Sequence, residues 1–194
     1  KYALSVNLQA GLIPYRTEFG VQRGATETVL EKANDLVCGD VFIIQGQSNA
    51  EAWTDQRVVH PYRSPWLRSF GTPTTNKDRA RDAVWGNALS FNGGPNHHHF
   101  QIGYWGVELG KLLIETHKVP ICIINGAQGG TRVDQHQRNE TDPTDVNTIY
   151  GRLLWRLQQA KLTHGVRAVL WHQGENDQGE CGATGTFGWV NYQD

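Results

Sequence analysis

The chain has 194 residues, and about half of them are apolar once the 22 glycines are counted with the 38% hydrophobic residues, the usual share for a globular protein with a real core. With 18 Lys and Arg against 19 Asp and Glu, the formal net charge is -1, so the chain carries no basic footprint for a nucleic-acid backbone. The longest apolar run, over residues 119–124, is strand-sized and far short of the ~20 residues a membrane span needs, so neither nucleic acid nor membrane is expected as a partner.

Cys38, Cys122 and Cys181 show no CxxC or Cys/His ligand spacing, which argues against a structural zinc site and allows at most one disulfide. The redox compartment stays open. The first residue is Lys1 and methionine is absent, which predicts a start that was processed or cut from something longer. A removed signal peptide is compatible with that.

In chain order, Tyr2, Leu4, Val6 and Leu8 alternate with polar or small residues, the period of a half-buried strand. Gly11, Pro14, Gly20 and Gly24 are then expected to break the chain into turns, so residues 1–38 form a short β-rich segment. At Asp40 the character changes. Val41-Phe42-Ile43-Ile44 is a continuous apolar run, the mark of a strand buried on both faces, and it stops at Gln45-Gly46. Residues 50–100, with four prolines, Gly93-Gly94 and the aromatics Trp53, Tyr62, Trp66 and Trp85, show little period and predict a long surface excursion of the functional kind.

Trp105, Leu109, Leu112 and Leu113 recur at helical spacing over 103–117, and Pro120 ends that helix before a second apolar strand, Ile121-Cys122-Ile123-Ile124. Ile149, Leu153, Leu154, Leu157 and Leu162 define another helix, followed by a third apolar strand over 166–171. Alternating strands and helices imply a parallel sheet with helices on both faces, an α/β fold of the three-layer α/β/α sandwich type with three strands in view.

In such sheets ligands bind beyond the carboxyl ends of the strands. Gln45-Gly46-Gln47-Ser48-Asn49 follows the first run, Asn125-Gly126-Ala127-Gln128-Gly129-Gly130-Thr131 the second, and His172-Gln173-Gly174-Glu175-Asn176-Asp177 the third. All three ends are rich in glycine and hydrogen-bonding groups. A serine on a glycine-flanked turn exposes its hydroxyl beside backbone N–H groups able to bind an oxyanion, and Ser48 fits that role.

Gly46-Gln47-Ser48-Asn49, Gly129-Gly130-Thr131 and His172-Gln173-Gly174-Glu175, with the lead-in Gly39-Asp40-Val41, resemble the signature blocks of the sialate O-acetylesterase and acetylxylan esterase group, carbohydrate esterase family 6 of the SGNH hydrolases. The resemblance runs from about Gly39 to Asp177. It implies that Ser48 is the nucleophile that takes an acetyl group from a sugar hydroxyl, with its own N–H and that of Gly129 as oxyanion donors. The third donor is open: the wider superfamily's Gly-x-Asn-Asp makes it Asn176, the esterase group's pattern emphasises Gln173. Gln47, Asn49 and Glu175 are assigned to substrate binding, and no metal or organic cofactor is implied. Acetylated carbohydrate is the expected substrate, and secretion or periplasmic export follows from where acetylated glycans are met.

The chain departs from the family in two places. Ala50 stands where sialate esterases commonly have methionine, and the Asp-x-x-His that supplies the catalytic base is absent; Asp134-Gln135-His136 has the wrong spacing. Serine without an adjacent base is a feeble nucleophile. Residues 39–194 are therefore expected to be the first part of an esterase domain, with the His and Asp in a downstream portion of the same polypeptide. Two other readings stand beside this one: a non-catalytic carbohydrate-binding module that lost its base, and an SGNH esterase acting on a non-sugar ester.

Several residues have plain structural readings. His97-His98-His99 reads as a solvated loop, His172 as a core histidine orienting a strand end, and Cys122 as a small core residue. Glu175 and Asp177 read as carboxylates that organise their loop, with Arg132 as a partner. Trp53, Trp66 and Trp85 either stack on sugar rings or pack the excursion onto the sheet.

Overall fold

The computed structural model describes residues 4–52, 59–90 and 98–177. The chain opens with a two-stranded antiparallel ribbon, β1 (Gly11–Arg23) and β2 (Thr26–Cys38), turning at Gly24-Ala25. This corrects the expected layout. Residues 4–10 carry no strand, and Gly11, Pro14 and Gly20 lie inside β1 rather than ending it. Register shifts between Gly11 and Tyr15 and between Phe19 and Gly20 absorb them, because a bulged ribbon tolerates a proline without an N–H and a glycine without a side chain.

The domain proper begins with β3 (Asp40–Gly46), followed by the one-turn helix α1 (Ser48–Glu51), β4 (Leu67–Phe70), β5 (Trp85–Asn87), α2 (Tyr104–His117), β6 (Ile121–Asn125), α3 (Ile149–Gln159) and β7 (Val166–His172). The sheet order is β5-β4-β6-β3-β7, and every neighbouring pair is parallel except β4 with β5. Ile44, Leu67, Ile121 and Ile123 point to the side where Val107 and Ile114 of α2 pack. Val41, Ile43, Cys122 and Ile124 point to the other, where Leu157 of α3 packs. The fold is thus a three-layer α/β/α sandwich, and β3 and β6 are buried on both faces as their continuous apolar runs require.

Residues 50–100 are not all excursion. Leu67-Arg68-Ser69-Phe70 has no apolar continuity, yet all four residues are buried, because β4 lies between β6 and β5. Arg68 pairs with Asp35 of the ribbon at 2.8 Å. The opposite edge differs from its expected character too: β7 reads as an apolar strand, but Val169 is 57% and Trp171 44% exposed, because among the described residues β7 has β3 on one side only and α3 covers little beyond Val166. Helix α2 ends at Lys118, whose left-handed backbone returns its N–H to the Ile114 carbonyl, two residues before Pro120. Helix α3 starts on Thr148, whose hydroxyl accepts the Gly151 N–H, and ends at Gln159, so Leu162 packs from beyond it.

Cys38 and Cys122 are free thiols, and burial pushes that of Cys122 up to about 12. Cys181, Trp53 and His97 lie outside the described residues. Trp66 packs on the α2 side of the core, while Trp85 is 49% exposed with its edge on Phe70. His99 is not simply solvated: its Nδ1 lies 2.8 Å from the Thr72 hydroxyl and 3.6 Å from the Asp82 carboxylate.

Arg156 of α3 is fully buried and holds the carboxyl ends of two strands together. Its Nε and Nη2 donate to the Phe70 carbonyl at 3.0 and 2.6 Å, and its Nη1 to that of Asn125 at 2.6 Å. Burial lowers the guanidinium to about 10, so it stays charged at neutral pH. Arg156→Met leaves both carbonyls unpaired in the core and is expected to cost about 3 kcal/mol, with Arg156→Lys recovering only part because one ammonium cannot fork to two carbonyls. Urea unfolding followed by circular dichroism checks this.

Candidate active site

Three strand ends meet along the carboxyl edge of the sheet. Gly46 ends β3 at φ +137, and a Cβ there would lie 1.9 Å from the His172 carbonyl, so only glycine lets the chain turn this close to β7. Gln47 follows, with its N–H donating to that same carbonyl at 3.1 Å. Ser48 then opens α1. Its side chain is exposed, and among the described residues neither its hydroxyl nor its N–H has a hydrogen-bond partner.

Gln47 turns inward instead of capping α1. Its Oε1, buried with the rest of the side chain, accepts from the N–H groups of Gly174 at 3.3 Å and Asn176 at 3.2 Å, and from Gln173 Nε2 at 3.3 Å. Gln173 Nε2 also donates to the Thr131 carbonyl at 3.0 Å and to the Asp177 carboxylate. Asp177, without exposure, accepts the Val133 N–H at 3.2 Å. Gln47 and Gln173 thus tie together the loops that follow β3, β6 and β7. Asn176 is held more loosely: its Nδ2 reaches the Thr131 carbonyl at 3.4 Å, leaving a second N–H on that amide.

The loop after β6 lies against Ser48. A Cβ on Gly129 would be 3.6 Å from Ser48 Cβ, an ordinary contact, and 2.8 Å from Glu51 Oε2, so a side chain at residue 129 would have to displace the end of the Glu51 side chain. Thr131 fastens the loop from behind. Its hydroxyl donates to the Gln128 carbonyl at 2.6 Å and so accepts from His136 Nε2 at 2.8 Å, which leaves His136 protonated on that nitrogen. Desolvation lowers His136 to about 4, against the opposing pull of Asp177 and Asp134.

Asn49 and Glu175 stand together at the rim, the Asn49 amide donating to the Glu175 carboxylate. Burial raises the Glu175 carboxyl, but its own N–H, the Asn49 amide and His172 together hold it below the ordinary range. His172 Nε2 lies 3.3 Å from that carboxylate, with its side chain 57% exposed. The expected core histidine is therefore corrected: His172 ends a strand that is at the sheet edge among the described residues, and its side chain is more than half exposed. Arg132 bonds Asp134 at 3.0 and 3.2 Å.

Sequence reasoning passed over Glu51. The residue is one turn from Ser48, on the same side of α1, and its Oε2 stands beside Gly129, 2.8 Å from where a Cβ on that glycine would lie. Desolvation dominates and pushes the carboxyl up to about 7. The only signal in the sequence is the i, i+3 spacing from the serine, which any helical glutamate can show.

The chain belongs to the family described as carbohydrate esterase, sialic acid-specific acetylesterase, whose match spans residues 38–187. Among solved structures it is similar to a protein from Arabidopsis thaliana, at 19% identity and a TM-score of 0.52 over 72% of this chain and 58% of that one. It is also similar to a novel carbohydrate acetylesterase from Xanthomonas citri, at 22% identity and a TM-score of 0.48 over 81% of this chain and 37% of that one. The chain therefore spans less than two thirds of the length of either. A comparison with curated proteins finds no match.

The neutral, buried His136 makes stability depend on pH. Its folded value of about 4 lies below the ordinary 6.5, so the unfolded chain takes up the proton first as pH falls. The stability tied to neutral His136 is complete above 6.5 and is lost as pH falls toward 4, a difference on the order of 3 kcal/mol. His136→Gln keeps an N–H for Thr131 without titrating. The expected outcome, from urea unfolding at a series of pH values, is that the wild type loses more stability than this variant between neutrality and pH 4.

Proposed function

We propose that the protein is a carbohydrate O-acetylesterase that works through a serine acetyl-enzyme. The observation that carries this reading is the exposed Ser48 hydroxyl at the end of a central parallel strand, with the loop after β6 running beside it so that a Cβ on Gly129 would reach Ser48 Cβ at 3.6 Å. In the proposed reaction Ser48 Oγ attacks the acetyl carbonyl carbon and its proton passes to a base. The bond from that carbon to the sugar oxygen breaks, and the sugar leaves as the alcohol. Water then attacks the acetyl-serine, releasing acetate and restoring the hydroxyl. Acetylated sialic acid is the first substrate to test, in keeping with the family's description, and acetylated xylan the second.

In this reading the negative charge on the carbonyl oxygen is met by the N–H groups of Ser48 and Gly129 and by the Asn176 amide. The choice of Asn176 over Gln173 is supported by the hydrogen bonds: Gln173 Nε2 is occupied by Thr131, Asp177 and Gln47, whereas among the described residues Asn176 keeps an N–H. The base is a histidine held by an aspartate in a further portion of the polypeptide, as the family pattern implies, and the setting is outside the cytoplasm.

The natively produced protein treated with a fluorophosphonate is expected to gain a single adduct that maps to Ser48, with none in Ser48→Ala; intact mass and peptide mapping check this. An absent adduct in the wild type refutes the esterase reading and leaves a binding module. Asn176→Ala is expected to lower kcat on an acetyl ester by about 100- to 1,000-fold with stability nearly unchanged. Gln173→Ala is expected to cost stability as well, read by urea unfolding, because it strips hydrogen bonds from three loops.

A further inference from the structure

A second cavity lies at the far end of the sheet from Ser48. Its wall takes in Asp40 and Val41, the first residues of β3, whereas Ser48 stands beyond the last, so the length of that strand, about 20 Å, separates the two places. The cavity has a volume of about 520 Å³, within the range of sites that hold small molecules, and lies between the end of β2 and the face of the sheet on which α3 packs. Its apolar lining includes Val41, Cys122 and Leu162, and Arg68 of β4 and Trp85 of β5 stand in its wall.

Two features of that wall are open. Trp85 is 49% exposed and meets Phe70 edge-on. Arg68 is 9% exposed, and while its Nη2 lies 2.8 Å from the Asp35 carboxylate, its buried Nε has no hydrogen-bond partner among the described residues. A buried guanidinium N–H without an acceptor is costly, so a ligand oxygen that reaches it is held firmly. The Asn34 amide and the carboxylates of Asp35 and Asp40 complete the polar part of the lining.

The chemistry of these groups selects the ligand. Arg68 only donates, the two carboxylates only accept, and the Asn34 amide does both, which suits a molecule whose groups donate and accept in turn, as hydroxyls do. A wholly apolar ligand would leave the Arg68 Nε unpaired. Each carboxylate already has its cation, Asp35 in Arg68 and Asp40 in Arg167 at 3.8 Å, so the site offers no net charge to an ion. The indole of Trp85 supplies an apolar surface for the CH face of a pyranose ring. We propose that this cavity is a second, non-catalytic carbohydrate site that takes a neutral sugar ring, stacked on Trp85 with its hydroxyls on Arg68 and Asp35. The site does not depend on Ser48 being a nucleophile. Where Ser48 acts on the same glycan, a sugar held at Trp85 raises the effective concentration of that glycan at the carboxyl edge of the sheet.

The test uses the natively produced protein labelled with 15N-tryptophan, with xylotetraose, cellotetraose and mannotetraose as neutral probes and N-acetylneuraminic acid as the charged one. The Trp85 indole N–H resonance, assigned by its loss in Trp85→Ala, is expected to shift saturably with at least one neutral probe and not with N-acetylneuraminic acid. The calorimetric affinity for that probe is expected to fall about tenfold in Trp85→Ala and to recover in part in Trp85→Phe. Trp85 is exposed enough for both variants to keep the fold, which urea unfolding checks, and both are expected to label with fluorophosphonate at Ser48 as fast as the wild type. An indole that no neutral probe moves, affinity that is unchanged in Trp85→Ala, or an equal shift with N-acetylneuraminic acid overturns the proposal and leaves the esterase reading of Ser48 as it was. Sugar binding at Trp85 in a protein that fluorophosphonate does not label refutes the esterase reading and leaves this site standing.

Discussion

The carboxyl edge of this sheet depends on one buried amide oxygen. Gln47 follows the glycine that ends β3, and its side chain gathers the N–H groups of Gly174 and Asn176 and the amide of Gln173. A buried carbonyl oxygen without partners would be costly, and so, to a lesser degree, would three part-buried donors. Pairing them means that the loop after β7 has one low-energy position relative to the turn carrying Ser48. The Gln173 amide extends the same logic to Thr131 and Asp177, so the three loops form one hydrogen-bonded body. Ser48, the residue next to Gln47, is left out of that body and faces outward.

The same division recurs in the layers below. Arg156 reaches from α3 into the core to meet two strand-end carbonyls, and Asp177 meets the Val133 N–H without any exposure. These are scaffold roles in which every polar atom named has a partner that fixes a backbone segment. The loosely held groups are at the rim: the Ser48 hydroxyl, the Asn176 amide, and the Asn49 and Glu175 pair. A site that must bind and release a substrate needs this arrangement, with rigid support behind groups whose hydrogen-bonding capacity is still open.

Two titratable side chains flank the loop after β6 and share a physical cause. Glu51 is pushed up to about 7 and His136 down to about 4, in each case mainly by loss of water around the charged form. Both shifts favour the neutral state. The loop between them, which carries Gly129 and Thr131, thus has a neutral His136 on one side at neutral pH and, on the other, a carboxyl that changes charge near 7. His136 is the anchor on the scaffold side, through Thr131, while Glu51 stands on the Ser48 side.

Local sequence was enough to identify the two central strands, because a parallel strand buried on both faces must be apolar at consecutive positions, as at 41–44 and 121–124. It also placed Ser48, Gly129 and the segment from Gln173 to Asn176 just past the carboxyl ends of their strands, and the structure has them there, at the edge where sheets of this kind bind ligands. It did not reveal β4, whose Arg68 is tolerated in the sheet only through Asp35, 33 positions earlier in the chain. Nor did it show that β1 runs through Pro14 and Gly20, since only the pairing with β2 places the bulges that accommodate them. The distinction between Gln173 as a structural tie and Asn176 as a looser amide, and the placing of Glu51 against Gly129, belong to the tertiary structure alone. Hydrogen bonds to residues more than forty positions away, and water excluded by a neighbouring loop, leave no mark on local sequence.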